Sequence, residues 1–163
     1  MRTSLRAIAN IAALVASLPL FACTSTPPVD RSIDRGTETT STALDSTLET
    51  KRTSDADVAK AFADHASSVQ MLVRGIVSKH LADDVEGDKH QRFILRLESG
   101  QTLLIAHNVD LATRVPASSL GKVVYAYGEY EWNDEGGVVH WTHLDPSGVH
   151  AHGWIQFEGV RYE

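Results

Sequence analysis

Lys122-Val123-Val124-Tyr125-Ala126-Tyr127-Gly128-Glu129-Tyr130-Glu131-Trp132 is the stretch whose reading decides the fold. It is a long strand pattern rich in Val and Tyr, and Gly128 at its middle marks a bulge or bend where a sheet curls. Asn133-Asp134-Glu135-Gly136-Gly137 follows as a hairpin turn, built from residues that tolerate positive φ. Val138 to Leu144 then returns as the next strand. A long strand that bends and doubles back is what a small closed barrel needs.

Working upstream, His90 to Leu97 alternates cleanly. Phe93, Leu95 and Leu97 take one face, and His90, Arg92, Ile94 and Arg96 the other. Met71 to His80 is an earlier strand, separated from it by an acidic turn from Asp83 to Asp88. Ser99-Gly100 turns the chain into a third strand, Gln101 to His107. Asn108 to Val115, with a capping Asn, Asp110 in the first turn and Pro116 as a stop, predicts a short helix between the third and fourth strands. Downstream, Asp145-Pro146-Ser147-Gly148 turns the chain toward a closing strand or hairpin over Trp154 to Tyr162. Ser54 caps a short amphipathic helix carrying Val58, Phe62 and Val69. These elements specify an all-β domain over residues 54–163. The pattern fits a small OB-like five-stranded barrel preceded by a short helix, with a β-sandwich as the alternative.

The N-terminal third has a different character. Arg2 and Arg6 precede an uncharged apolar run from Ala7 to Phe21, which ends at Leu20-Phe21-Ala22-Cys23. That run falls short of the ~20 residues a spanning helix requires, and it has the layout of a lipoprotein signal peptide over residues 1–22. Cys23, the only cysteine, becomes the lipidated N-terminus, and residues 23–53 are expected to form a disordered Thr/Ser-rich tether. The expected location is the cell envelope, anchored in the membrane by lipid. Thr24, in place of an Asp, directs the expectation to the periplasmic face of the outer membrane. With residues 1–22 removed, 13 basic side chains face 21 acidic ones. An acidic chain is poorly suited to phosphate backbones, so nucleic acid is an unlikely partner. With its one thiol acylated, the chain has none left for a disulfide, a metal thiolate or a nucleophile.

Six of the eight histidines fall between residues 90 and 152: His90, His107, His140, His143, His150 and His152. Neutral imidazole is the commonest metal ligand, so His140, His143 and His150 with Asp145 form the candidate set for a divalent metal. Against it, His140 and His143 are three apart and face opposite ways on an extended strand. The competing role for these histidines is hydrogen-bonded struts. His90 and Arg92 project from the non-core face of the second strand, where ligands of such barrels lie, and Arg92 is suited to clamp an anion. Trp132, Trp141 and Trp154 offer flat surfaces for sugar rings.

His90-Gln91-Arg92-Phe93, Leu104-Ile105-Ala106-His107-Asn108 with Asp110-Leu111, Gly128 to Asn133, Gly136 to His143 with Asp145-Pro146, and Gly153-Trp154-Ile155 together carry a family resemblance. Over residues 70–163 the chain resembles the bacterial domain-of-unknown-function family three-four-six-five. The resemblance implies a family site among His90, Arg92, His107, Asn108, Asp110, Glu129, Trp132, His140, Trp141, His143, Asp145, His150 and Trp154. It implies no activity. Two functions are therefore carried forward. One is a membrane-tethered periplasmic binding module for a small anionic or sugar ligand or an envelope protein. The other is a metal-dependent hydrolase, with phosphodiesters as the candidate substrates, using the histidine cluster. Cys23→Ser is expected to leave an uncleaved or soluble precursor, because acylation is the one strong membrane attachment in the sequence. Membrane fractionation checks it; unchanged, detergent-requiring association would contradict the lipoprotein assignment.

Overall fold

The computed structural model describes residues 46–163, so the signal peptide, Cys23 and the tether up to residue 45 lie outside the described residues. Helical residues 46–51 (α1) and helix α2 (Asp55–Ala63) precede seven strands: β1 (Val69–His80), β2 (His90–Arg96), β3 (Thr102–Asn108), β4 (Val123–Glu131), β5 (Val138–His140), β6 (Trp154–Phe157) and β7 (Val160–Tyr162). The hydrogen-bonded order is β1-β2-β3-β5-β4, and an antiparallel β1–β4 pairing closes the circle. β3 and β5 run parallel; the other pairs are antiparallel. This is a closed OB-type barrel, which removes the sheet edges a sandwich would leave. The β6–β7 hairpin adds two strands on the outside edge of β4.

Alternation fills the interior. Phe93, Leu95, Leu103, Ile105, Tyr130 and Val139 are fully buried and belong to one continuous core. α2 begins where Ser54 accepts a hydrogen bond from the Asp57 amide, and it closes one end of the barrel with Val58 and Ala61. Trp132 packs beneath that end, its ring 4.2 Å from His65 and 6.3 Å from Phe62.

Gly128 is not a bulge. The β1–β4 register runs without a break from Val69↔Tyr130 to Ile76↔Val123, and the irregularity lies in β1, between Val77 and Lys79. Gly128 is instead a point of close approach: a Cβ there would collide with the carbonyl oxygen of His140 and stand 2.9 Å from the Thr142 methyl. Two further elements differ from expectation. The fifth strand stops at His140 rather than Leu144, because Trp141 takes a left-handed backbone (φ 50°). The helix expected over Asn108–Val115 is a single turn. Asn108 does cap it, accepting from the Asp110 and Leu111 amides, but the Thr113 carbonyl and the Val115 amide bond to His107 and Gln91 side chains instead of continuing a helix. The regular helix in this connection is a 3-10 turn after Pro116, Ala117–Ser119.

Part of the segment expected as tether is built into the domain. Leu48 of α1 is buried with Leu72 and Tyr125 on the outer face of the sheet. Glu49 accepts from the Tyr125 hydroxyl at 2.7 Å and pairs with the Arg74 guanidinium at 2.6 Å. Thr53 covers the open edge of β1 by bonding both the amide and the carbonyl of Leu72. Gly128→Ala is expected to destabilise the domain by about 3 kcal/mol, the upper end for an overpacked site, because the colliding atom is backbone. A urea midpoint that falls with unchanged slope checks it; a midpoint matching the parent would contradict the close-approach assignment.

Candidate functional site

The outer face of β4 carries the chemistry. Val124, Ala126 and Tyr130 point into the core, so Tyr125, Tyr127, Glu129 and Glu131 point out. Cross-strand pairing extends this stripe into rows. Leu72, Tyr127 and Trp154 form one row, and Gln70, Glu129 and His140 form the next.

The first row floors a cavity of about 460 Å³. Its lining is Leu72, Tyr127, Trp154 and Gln156 from the sheet, Thr47, Leu48 and Lys51 from α1, and Arg161 from β7. The Tyr127 and Trp154 rings lie 5.8 Å apart, and the Arg161 guanidinium sits 4.4 Å from the Trp154 ring centre. Neither Lys51 nor Arg161 has an acidic partner among the described residues, in contrast to Arg52, Arg74, Lys89 and Lys122, which do.

The second row holds the ionisable cluster. Glu129, Glu131 and His140 each offer a ligand atom, and these atoms lie within 4.8 Å of one another. Glu131 is oriented by the Ser68 amide (3.0 Å) and hydroxyl (3.1 Å); bonds from Ser67 and Ser68 hold its carboxyl below the usual range. His140 Nε2 is buried without a hydrogen-bond partner. Burial pushes the His140 pKa down, against the pull of Glu129 and Glu131. His150 stacks on Trp141 (3.8 Å, 18°) and brings Nδ1 to 3.9 Å from a Glu129 oxygen.

The remaining predicted residues have other work. Asp145, placed in the metal set by the sequence, is the hub of the 141–153 loop. Its carboxylate accepts from the Ser147 amide and hydroxyl and from the Val149 and His150 amides, all at 2.7–2.8 Å, and these bonds drive its pKa far below the carboxylate range. These four bonds occupy its lone pairs and make it the anchor of the loop. His143 is buried, its Nδ1 lies 2.7 Å from the Leu144 carbonyl, and it stands outside the Glu129–Glu131–His140 group. His152 Nδ1 accepts from the Asp145 amide. His107 is fully buried between the Thr142 hydroxyl (2.9 Å) and the Thr113 carbonyl (3.0 Å). Nε2 donates to that carbonyl, leaving Nδ1 to accept from Thr142, and no carboxylate orients the ring, so the pair is a strut and not a nucleophile with its base.

Asn108 and Asp110 organise the turn after β3, Asp110 accepting from the Lys89 amide at 2.7 Å. His90 Nδ1 donates to the Asp88 carbonyl at 2.8 Å. Arg92 donates to the Ala82 carbonyl at 3.0 Å and lies 3.8 Å from Asp84, so its guanidinium braces the β1–β2 loop. The structure thus joins Glu129, His140, Trp141 and His150 of the predicted residues, with Trp154 in the adjoining row.

Sequence reasoning missed Glu131, Tyr127, Lys51 and Arg161. The signal for Glu131 and Tyr127 was present: both are two residues from Glu129 on one strand and therefore share its face.

Fold and site define a small OB-type barrel whose outer β4 face joins an aromatic, cationic cavity to a carboxylate–imidazole cluster. The chain belongs to the family described as protein of unknown function, DUF3465, whose model matches residues 42–163. No curated protein matches it. The family match includes α1, in accord with the docking of Leu48 on the sheet.

Burial holds the His107 pKa down at about 4, against an ordinary 6.5, despite favourable bonds from Thr113 and Thr142. Between those values the unfolded chain is protonated at this ring and the folded chain is not, so stability falls as pH drops from 6.5 to 4 and levels off below. Two and a half units at 1.36 kcal/mol each correspond to about 3 kcal/mol. His140 adds in the same direction, and Glu49, Glu131 and Asp145, held low, begin to lose their contributions as pH falls through the ordinary carboxylate range, so they steepen the fall near pH 4. Denaturation at pH 7, 5.5 and 4 is expected to show this slope, and His107→Gln to be weaker at pH 7 but flatter. An unchanged slope in the variant would contradict the assignment.

Proposed function

We propose that the protein is a lipid-anchored binding module of the cell envelope, tethered at Cys23 on the periplasmic face of the outer membrane, that takes a small acidic sugar in the Trp154 cavity. The carrying observation is the pairing of the Tyr127 and Trp154 rings with two cations, Lys51 and Arg161, that have no acidic partner among the described residues of an acidic chain. A sugar ring packs its C–H face on an aromatic surface, and a carboxylate on that ring meets Arg161 and Lys51. Gln156 adds a hydrogen-bonding side chain to the lining. The cavity volume lies within the range of small-molecule sites.

The lipid anchor and leash fit a capture role at a surface. The site residues carry no nucleophile beside a base, which favours binding over covalent catalysis for this cavity. Titration of the full mature chain with glucuronate, followed by Trp fluorescence and calorimetry, tests the reading. Saturable binding is expected, weakened about tenfold or more in Arg161→Gln, which is about 1.4 kcal/mol, and abolished in Trp154→Ala. Glucose, lacking the carboxylate, is expected to bind more weakly. Equal binding of both sugars, or binding untouched by Arg161→Gln, would contradict the proposal.

A further inference from the structure

Glu129 and Glu131 leave β4 on the same face, and His140 stands opposite Glu129 in the β4–β5 register. One donor atom from each lies within 4.8 Å of the others. Ligands about 2.0–2.2 Å from a single ion stand at most about 4.4 Å apart, so side-chain shifts of under about 1 Å gather all three.

Two further observations point to a cation. His140 Nε2 has lost its solvent and has no hydrogen-bond partner, a costly state for a ring nitrogen and one that coordination relieves. The adjacent carboxylates also lack a Lys or Arg partner among the described residues; the His150 ring brings its Nδ1 to 3.9 Å from a Glu129 oxygen. Two carboxylates at this range repel unless a shared proton or a bound cation sits between them. Ser68 bonds one oxygen of Glu131 through both its amide and its hydroxyl, which orients the carboxylate as an outer-shell partner orients a ligand.

We propose that Glu129, Glu131 and His140 bind one divalent transition-metal ion, its remaining positions open to water. Imidazole with two carboxylates suits zinc or manganese, with zinc the tighter, whereas calcium requires six to eight oxygens that this face does not gather. The site lies one row from the Trp154 cavity on the same strand, but it rests on its own donors and stands whether or not that cavity binds a sugar.

The test is calorimetry of the chelator-treated full mature chain with zinc chloride and manganese chloride, with thermal melts alongside. One zinc per chain is expected, with a raised melting midpoint. Glu129→Gln, Glu131→Gln and His140→Gln are each expected to weaken zinc about tenfold or more, while Glu135→Gln on the neighbouring turn leaves it unchanged. Melts in chelator show whether each variant folds, and Glu129→Gln is expected to match or exceed the parent there because a repulsion is removed. Cobalt substitution adds a readout, since its visible bands report coordination by His140 directly and are expected to vanish in His140→Gln. Absence of zinc binding at millimolar concentration, or zinc binding that survives His140→Gln in a folded protein, would overturn the proposal.

Discussion

The contact of the His140 carbonyl with the bare Cα of Gly128 is the constraint on which the outer face of this barrel depends. Because no side chain stands at Gly128, β5 can end tightly against β4 and the chain can turn away at Trp141. The edge of β4 is thereby divided: β5 pairs with Glu129–Glu131, and β6 pairs with Tyr125–Tyr127. Gly153 completes the arrangement, since a Cβ there would strike the Trp141 carbonyl as the chain re-enters the sheet. Tyr127, Glu129 and Glu131 are consequently met by Trp154 and His140 in register, and the two chemistries of the face lie in adjacent rows.

The chain between these glycines, residues 141–153, is held by polar groups rather than by a core. Asp145 gathers three amides and a hydroxyl, and Thr142 is pinned from below by His107. Such buried, satisfied networks fix a single conformation because each unpaired member would be costly. Their function here is to hold the Trp141–His150 stack beside Glu129. The Thr142–His107 pair and Asp145 hold this loop in place.

Much of the fold was legible in the sequence because barrel strands alternate, and Phe93, Leu95 and Leu97 alternate without exception against Arg92, Ile94 and Arg96. Ser54 as a cap and Asn133–Gly137 as a turn were equally readable from local chemistry. Long-range contacts were not. Nothing local in Gly128 distinguishes a bulge from a close approach, and nothing in Asn108–Val115 shows that His107 and Gln91 take the backbone groups a helix would need. Leu48 and Glu49 sit in a Thr-rich stretch whose partners, Leu72, Arg74 and Tyr125, are more than twenty residues away. For the site, the histidine count drew attention to residues 140–152, whereas the period-two spacing of Tyr127, Glu129 and Glu131 was the more informative pattern.

We place function on the outer face of β4, and not on the β2–β3 face, where Arg92 and His90 are committed to the β1–β2 loop. Two-dimensional amide NMR of the labelled full mature chain, recorded with glucuronate and separately with zinc, tests it most directly. The account predicts shifts confined to Tyr125–Glu131, Val138–Trp141 and Trp154–Arg161, with the sugar moving the Trp154 indole and zinc moving the His140 ring. Shifts centred on His90, Arg92 and Leu104, with β4 undisturbed, would contradict it.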